Sequence, residues 1–290
     1  MTVSDLQRRF GVSGVVQVDA GRGGLPKIAV TSDLASAEIY LHGAHVTSFQ
    51  PRGAPPVLFL SGESQFDPAK PIRGGIPVIF PWFGPKQGSP ESPMHGFARI
   101  RPWELESCAA QPDGSVRVAL TLAADESLRL RMVYGIGRSL SVEMEVQAGA
   151  TPLVFEQALH TYLHVGDVRQ VTVEGLENAV YVDKMDGFKE KTQPPEPIRI
   201  TGETDRVFQN TRSAVVVRDP VLGRTITVEK EHSASTVVWN PWIAKARAMA
   251  DFGDEEWPSM ICVETANVGP AAVRLDAART HRMRARIQAS

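Results

Sequence analysis

The sequence predicts an all-β protein, an antiparallel sandwich of two sheets with a few short helices. Three observations carry this expectation. Apolar and polar residues alternate with period two over much of the chain, as half-buried strands require. Turn-forming residues fall between those runs. Helical patterning is confined to two short stretches.

The elements follow in order. Ser4-Asp5-Leu6-Gln7 has capping-box form, with Gln three residues after Ser, and predicts a short helix ending at Gly11. Val116, Val118, Leu120 and Leu122 alternate with Arg117, Ala119 and Thr121. Leu128, Leu130 and Met132 alternate with Arg129 and Arg131, and Leu140, Val142, Met144 and Val146 with Ser141, Glu143 and Glu145. Val215, Val217, Ile226 and Val228 continue the theme. Pro112-Asp113-Gly114, Gly135, Gly149 and the run from Asp219 to Gly223 read as turns. Asn240 and Pro241 open the second helical stretch, Trp242 to Phe252, with Asn240 as cap, Pro241 at the first helical position and Gly253 as stop. The Pro-rich stretch from Gln193 to Pro197 resembles a linker, yet strand-like sequence of one character flanks it. A single domain over residues 1–290, with its core at about 25–285, is therefore expected.

The chain has 290 residues, 42% of them hydrophobic, enough for a sizeable core. A net charge of −2 supplies no basic field for nucleic acid or anionic lipid. No apolar stretch is long enough to span a membrane, and the first ten residues lack the apolar core of a signal peptide. Cys108 and Cys262 support neither a disulfide framework nor a thiolate metal site. A soluble cytoplasmic protein with no nucleic-acid or membrane partner is expected.

Four clusters stand out chemically. Residues 72–99 hold Arg73, His95 and Arg99 among glycines, prolines and aromatics. Gly74 and Gly75 permit close backbone approach, and Pro77 and Pro81 exclude a regular central strand. This describes a rigid wall presenting cations to an anionic polar ligand, or else a structural hairpin with surface arginines. His160, Tyr162 and His164 would share one face of a strand, as acid–base groups, core residues or the nucleus of a metal site. Zinc would need a third ligand, which no nearby spacing offers. Glu264 lies in an apolar run, where burial raises a carboxyl pKa toward that of a general base; on an edge strand it would face solvent instead. Cys262 and Ala266 beside it leave room for a ligand. Asp205 could accept hydrogen bonds from hydroxyls or simply serve a turn. Trp82, Phe83, Phe97, Trp239 and Trp242 could stack on sugar rings or fill the core.

The motifs Arg73-Gly74-Gly75-Ile76-Pro77 with Phe80-Pro81, His95-Gly96-Phe97-Ala98-Arg99, Ala158-Leu159-His160-Thr161-Tyr162 and Val263-Glu264-Thr265 come in an order that resembles the aldose 1-epimerase (mutarotase) superfamily, and within it the hexose 6-phosphate branch. Leu41 to Ser48 resembles that family's opening strand and turn. The resemblance spans about residues 25–285. It implies a large antiparallel β-supersandwich of the galactose mutarotase type, an isomerase needing no cofactor, and a small-molecule sugar phosphate as partner; a monomer without a metal is expected. It implies His160 as the acid at the ring oxygen and Glu264 as the base at the anomeric hydroxyl. Arg73 and Arg99 would bind phosphate, with His95 and Asp205 at the sugar. The acid and base are expected on opposite sides of a space as wide as a pyranose ring. Met94 departs from the family, where a polar residue is expected. The loop 86–93 is expected to tune which sugar fits. Two other functions fit the same fold: a mutarotase for unphosphorylated aldoses and a noncatalytic carbohydrate-binding sandwich.

Overall fold

The computed structural model describes residues 1–125 and 128–290. Among the described residues the fold rests on two eight-stranded sheets in which every strand pair is antiparallel. One runs in the order Thr172–Glu174, Val215–Asp219, Arg224–Glu231, Thr280–Ala289, Leu140–Ala148, Leu128–Ile136, Val116–Asp125 and Glu104–Ala110. The other runs Lys189–Thr192, Val180–Asp183, Thr204–Gln209, Ser235–Asn240, Met260–Asn267, Gln157–Leu159 and Val78–Ile79, with Tyr162–His164 also paired to Met260–Asn267. To the expected pair the structure adds a four-stranded sheet from Val16–Ala20 to His45–Pro51 and a small one joining Leu153–Phe155 to Val273–Leu275.

Alternation explains the long strands. In Leu140–Ala148 the residues Leu140, Val142, Met144 and Val146 are all fully buried, while Ser141, Glu143 and Glu145 are half-buried on the other face. Burial of each such apolar side chain contributes roughly 1.5–3 kcal/mol. The resulting core is continuous from Leu6 to Ile287.

Three local expectations are corrected. The first helix is Val3–Phe10, and its capping box is Thr2 with Asp5; Ser4 lies inside the first turn. Thr2 has the extended backbone a cap needs, and starting there lets Leu6 and Phe10 bury one turn apart. Gly11 does end it. Gly135 lies within Leu128–Ile136, opposite Ser141, without the left-handed φ that a glycine turn would exploit. The second helix is only Trp242–Ala248, with Pro241 at the cap and Met249 after its last turn. Asn240 receives the Trp242 N–H at 2.9 Å, as an Asx turn does, and donates to the carbonyls of Trp257 and Met260. Beyond the helix Phe252 is buried against Phe59, and Gly253 turns by donating to Glu256. That early unwinding brings Asp251 to Arg73.

Candidate active site

The Glu264 strand, Met260–Asn267, is buried along its whole length and lies in the middle of its sheet. An edge position facing solvent is therefore excluded, and Glu264 is 1% exposed. Gln157–Leu159 and Tyr162–His164 pair with it in one register, Leu159 opposite Thr265 and Tyr162 opposite Cys262. Extending that register across the gap sets His160 opposite Glu264. The ladder breaks there: Thr161 N–H bonds Leu159 O at 2.8 Å, and His160 N–H bonds Pro77 O at 3.0 Å. The Val263 N–H still reaches Thr161 O at 3.1 Å, so the register survives.

His160 Nε2 consequently stands 3.3 Å from Glu264 Oε1. This corrects the expected separation by a ring's width, because cross-strand partners in an antiparallel pair are neighbours. His160 stacks on Tyr162 with centroids 4.8 Å apart, and Trp239 meets both rings edge-on. His164 lies elsewhere, beside Arg224, so the two histidines do not converge. Burial drives the Glu264 carboxyl well above its ordinary pKa, reinforced by Asp205 and opposed by Lys184 and Arg99. Burial drives His160 well below its own, helped by His95, Arg73 and Arg99. The two proton affinities are pushed toward each other, which suits a pair that trades protons.

On the His160 side lie the arginines. Arg73 gives Nε and Nη2 to Asp251 Oδ2 at 3.2 and 3.1 Å, and Nη1 to the Tyr162 hydroxyl at 3.0 Å. One N–H on each terminal nitrogen remains, forming the outward edge of the fork. Burial works against its charge, but Tyr162 and Asp251 outweigh it and the proton is held more tightly than usual. Gly75 explains part of this local shape. Its φ is 59°, and a Cβ there would sit 2.1 Å from Val46 O. Gly75→Ala is expected to destabilise the fold by about 1–3 kcal/mol from backbone strain alone, and more from the clash; urea denaturation measures it.

Arg99 lies in the short helix Ala98–Ile100 and is 8% exposed. Nη2 donates to Met94 O at 2.6 Å, Nε has no partner, and among the described residues the side chain makes no ion pair. Burial and the neighbouring Arg73 lower its pKa to about 10. Met94 thus acts through its carbonyl, and its side chain is exposed at the surface. His95 takes a left-handed φ of 64°, and Nδ1 accepts the Gly84 N–H at 3.1 Å, which puts the ring proton on Nε2. Its ring is 5.9 Å from His160. Burial, followed by Arg99, Lys184 and Arg73, holds its pKa well below that of an ordinary imidazole.

Asp205 stands on the other side of the pair. It belongs to the strand Thr204–Gln209, opposite Trp239, and is no turn residue. Lys184 Nζ lies 3.2 Å from its Oδ1 and 4.6 Å from the centre of the Phe83 ring. Burial raises the Asp205 pKa, and Lys184 opposes that. Of the aromatic candidates, Trp239 and Phe83 border the site, whereas Trp242 packs on Trp257 and Phe97 on Phe80. Sequence reasoning brings His160, Glu264, Arg73, Arg99, His95 and Asp205 forward, and they do converge. It misses Asp251 and Lys184, charged residues that belong to no recognisable local motif.

Residues 26–288 match the family model described as aldose 1-epimerase. A protein of Cenchrus ciliaris, provisionally named glucose-6-phosphate 1-epimerase, is 38% identical over 249 residues, 80% of this chain and 75% of that one. An Escherichia coli K12 protein with the same provisional name is 36% identical over 256 residues, 83% of each chain. The crystal structure of YeaD from Salmonella typhimurium, provisionally called a mutarotase, matches with a TM-score of 0.88 at 30% identity over 97% of this chain and 95% of that one. By sequence and by fold, this chain belongs to the aldose 1-epimerase family.

Proposed function

We propose that the protein interconverts the α and β anomers of hexose 6-phosphates, glucose 6-phosphate among them, with Glu264 as general base and His160 as general acid. The names of its relatives support the substrate class. The observation that carries the reading is Arg99, a buried guanidinium that makes no ion pair among the described residues, beside Arg73 and the His160–Glu264 pair. A buried cation without a counter-ion is costly, and a phosphate supplies the missing charge.

Anomer exchange opens a hemiacetal and recloses it on the other face. Glu264 takes the proton of the anomeric hydroxyl while His160 protonates the ring oxygen, and the C1–O5 bond breaks. Rotation about C1–C2 turns the aldehyde over, and the same two transfers run backward. The two oxygens share one carbon, so an acid and a base in mutual contact suit them better than groups facing each other across the ring. The arginines also prime the acid. Both depress the His160 pKa, and a phosphate bound between them cancels their charge, so the imidazole gains basicity as substrate arrives.

The reading includes a single-domain, monomeric, cytoplasmic enzyme acting without cofactor. The test is anomer-exchange NMR on several hexose 6-phosphates and the corresponding free sugars. Faster exchange for the phosphates supports the reading; preference for free sugars makes it a mutarotase of unphosphorylated aldoses, and no exchange leaves a sugar-binding sandwich. Activity is expected to survive exhaustive EDTA treatment, since the chemistry is proton transfer and among the described residues no three His, Cys, Asp or Glu side chains cluster as metal ligands. Loss of activity restored by zinc would replace the acid–base mechanism.

A further inference from the structure

The strand registers arrange the site as two adjacent rows. Asp205 faces Trp239, Trp239 faces Cys262, and Cys262 faces Tyr162. Asp183 pairs with Arg206, so the same register sets Lys184 level with Asp205 at the head of this row. In the next row Val207 faces Val237, Val237 faces Glu264, and His160 follows. Directly paired residues point to one face of a sheet, so both rows share a floor. At the far end Tyr162 holds Arg73. Read across the floor, the polar groups run from Arg99 and Arg73 through His160 and Glu264 to Asp205 and Lys184.

A hexose 6-phosphate presents its groups in a matching sequence along one edge. The phosphate on C6 comes first, then C5, the ring oxygen, C1 with its hydroxyl, and C2 with its substituent. With phosphate at the arginines, the ring oxygen at His160 and the anomeric hydroxyl at Glu264, the next group along is the one on C2. We propose that Lys184, held in place by Asp205, is a substrate-binding residue that reads the substituent on C2. The inference rests on the hexose 6-phosphate reading above.

Two further observations agree with this order. After His95, the charges acting on His160 are those of Arg73 and Arg99, whereas Lys184 and Asp205 act on Glu264 ahead of Arg99. Lys184 also retains about a quarter of its side-chain exposure, and its ammonium carries three donors, enough to serve a ligand while it stays paired with Asp205. A 2-hydroxyl can accept from Lys184 and donate to Asp205; a C2 methylene can do neither and leaves both short of a partner.

Exchange by the wild type should be about 10- to 150-fold slower in kcat/KM for 2-deoxyglucose 6-phosphate than for glucose 6-phosphate. Lys184→Gln and Asp205→Asn should each shrink that ratio several-fold by slowing the 2-hydroxy sugar selectively. The ratio is taken within each preparation, so a partly folded variant does not distort it. Lys184→Arg should keep part of the discrimination. Equal slowing of both sugars by Lys184→Gln, or a wild-type ratio near one, would overturn the assignment. Failure of the wild type to exchange any hexose 6-phosphate would instead bring down the underlying substrate reading, and the C2 assignment with it.

Discussion

Glu264→Gln gives a folded protein that still binds sugar phosphate and exchanges anomers roughly 10²–10⁴-fold more slowly. Gln keeps the shape and cannot take the proton. His160→Ala should be comparably damaging, since it removes the proton donor. NMR exchange rates near wild type in either variant would refute the assignment. The Glu264 substitution carries a second signature. Its folded pKa lies above the unfolded value, so the folded chain keeps a proton that the unfolded chain releases. The stability this provides is full below the ordinary carboxyl pKa and is lost as pH rises through the raised value. Gln does not titrate, so its stability relative to wild type should improve from about pH 5 to about pH 8. Urea unfolding at the two pH values checks this. A variant that is inactive yet gains relative stability at the higher pH separates loss of the base from loss of fold.

Arg99→Ala should weaken binding of hexose 6-phosphates by roughly 10- to 150-fold and barely change that of free hexoses. A charge-assisted hydrogen bond contributes about 1.5–3 kcal/mol, which sets that range. Arg99 is the better probe of the two arginines because Arg73 is already tied to Asp251 and Tyr162. Titration calorimetry with both sugars decides it, and equal losses would mean that Arg99 supports the fold.

Strands such as Leu140–Ala148 could be read from the chain because every second residue turns into one core. The strands that build the site could not be delimited that way. Val78–Ile79, Gln157–Leu159 and Tyr162–His164 are two or three residues long and mostly buried on both faces, so no alternation shows. Residue type marked them instead: a carboxylate in an apolar run, a histidine before an aromatic, arginines among glycines. Each is expensive to bury without a purpose. Lys184 and Asp251 escaped because neither is out of place locally. Lys184 follows Asp183 at the end of a strand, and Asp251 lies 178 residues from the arginine it orients. The helix ends were missed by a few residues because Thr2 and Met249, rather than the stronger-looking Ser4 and Gly253, have the backbone geometry of caps.

The pairing of His160 with Glu264 across a broken ladder gives these two residues a kind of reading frame. Leu159 with Thr265 on one side and Tyr162 with Cys262 on the other keep the count through the gap. One residue gained or lost between them would present Thr161 in place of the imidazole and turn His160 toward the packed interior. The loop 86–93 lies outside that count and can change length without moving the pair. Variation in this scaffold is therefore free to accumulate as loop length and as substitution, while the number of residues through these two short strands is held to an integer that no side-chain replacement elsewhere can correct.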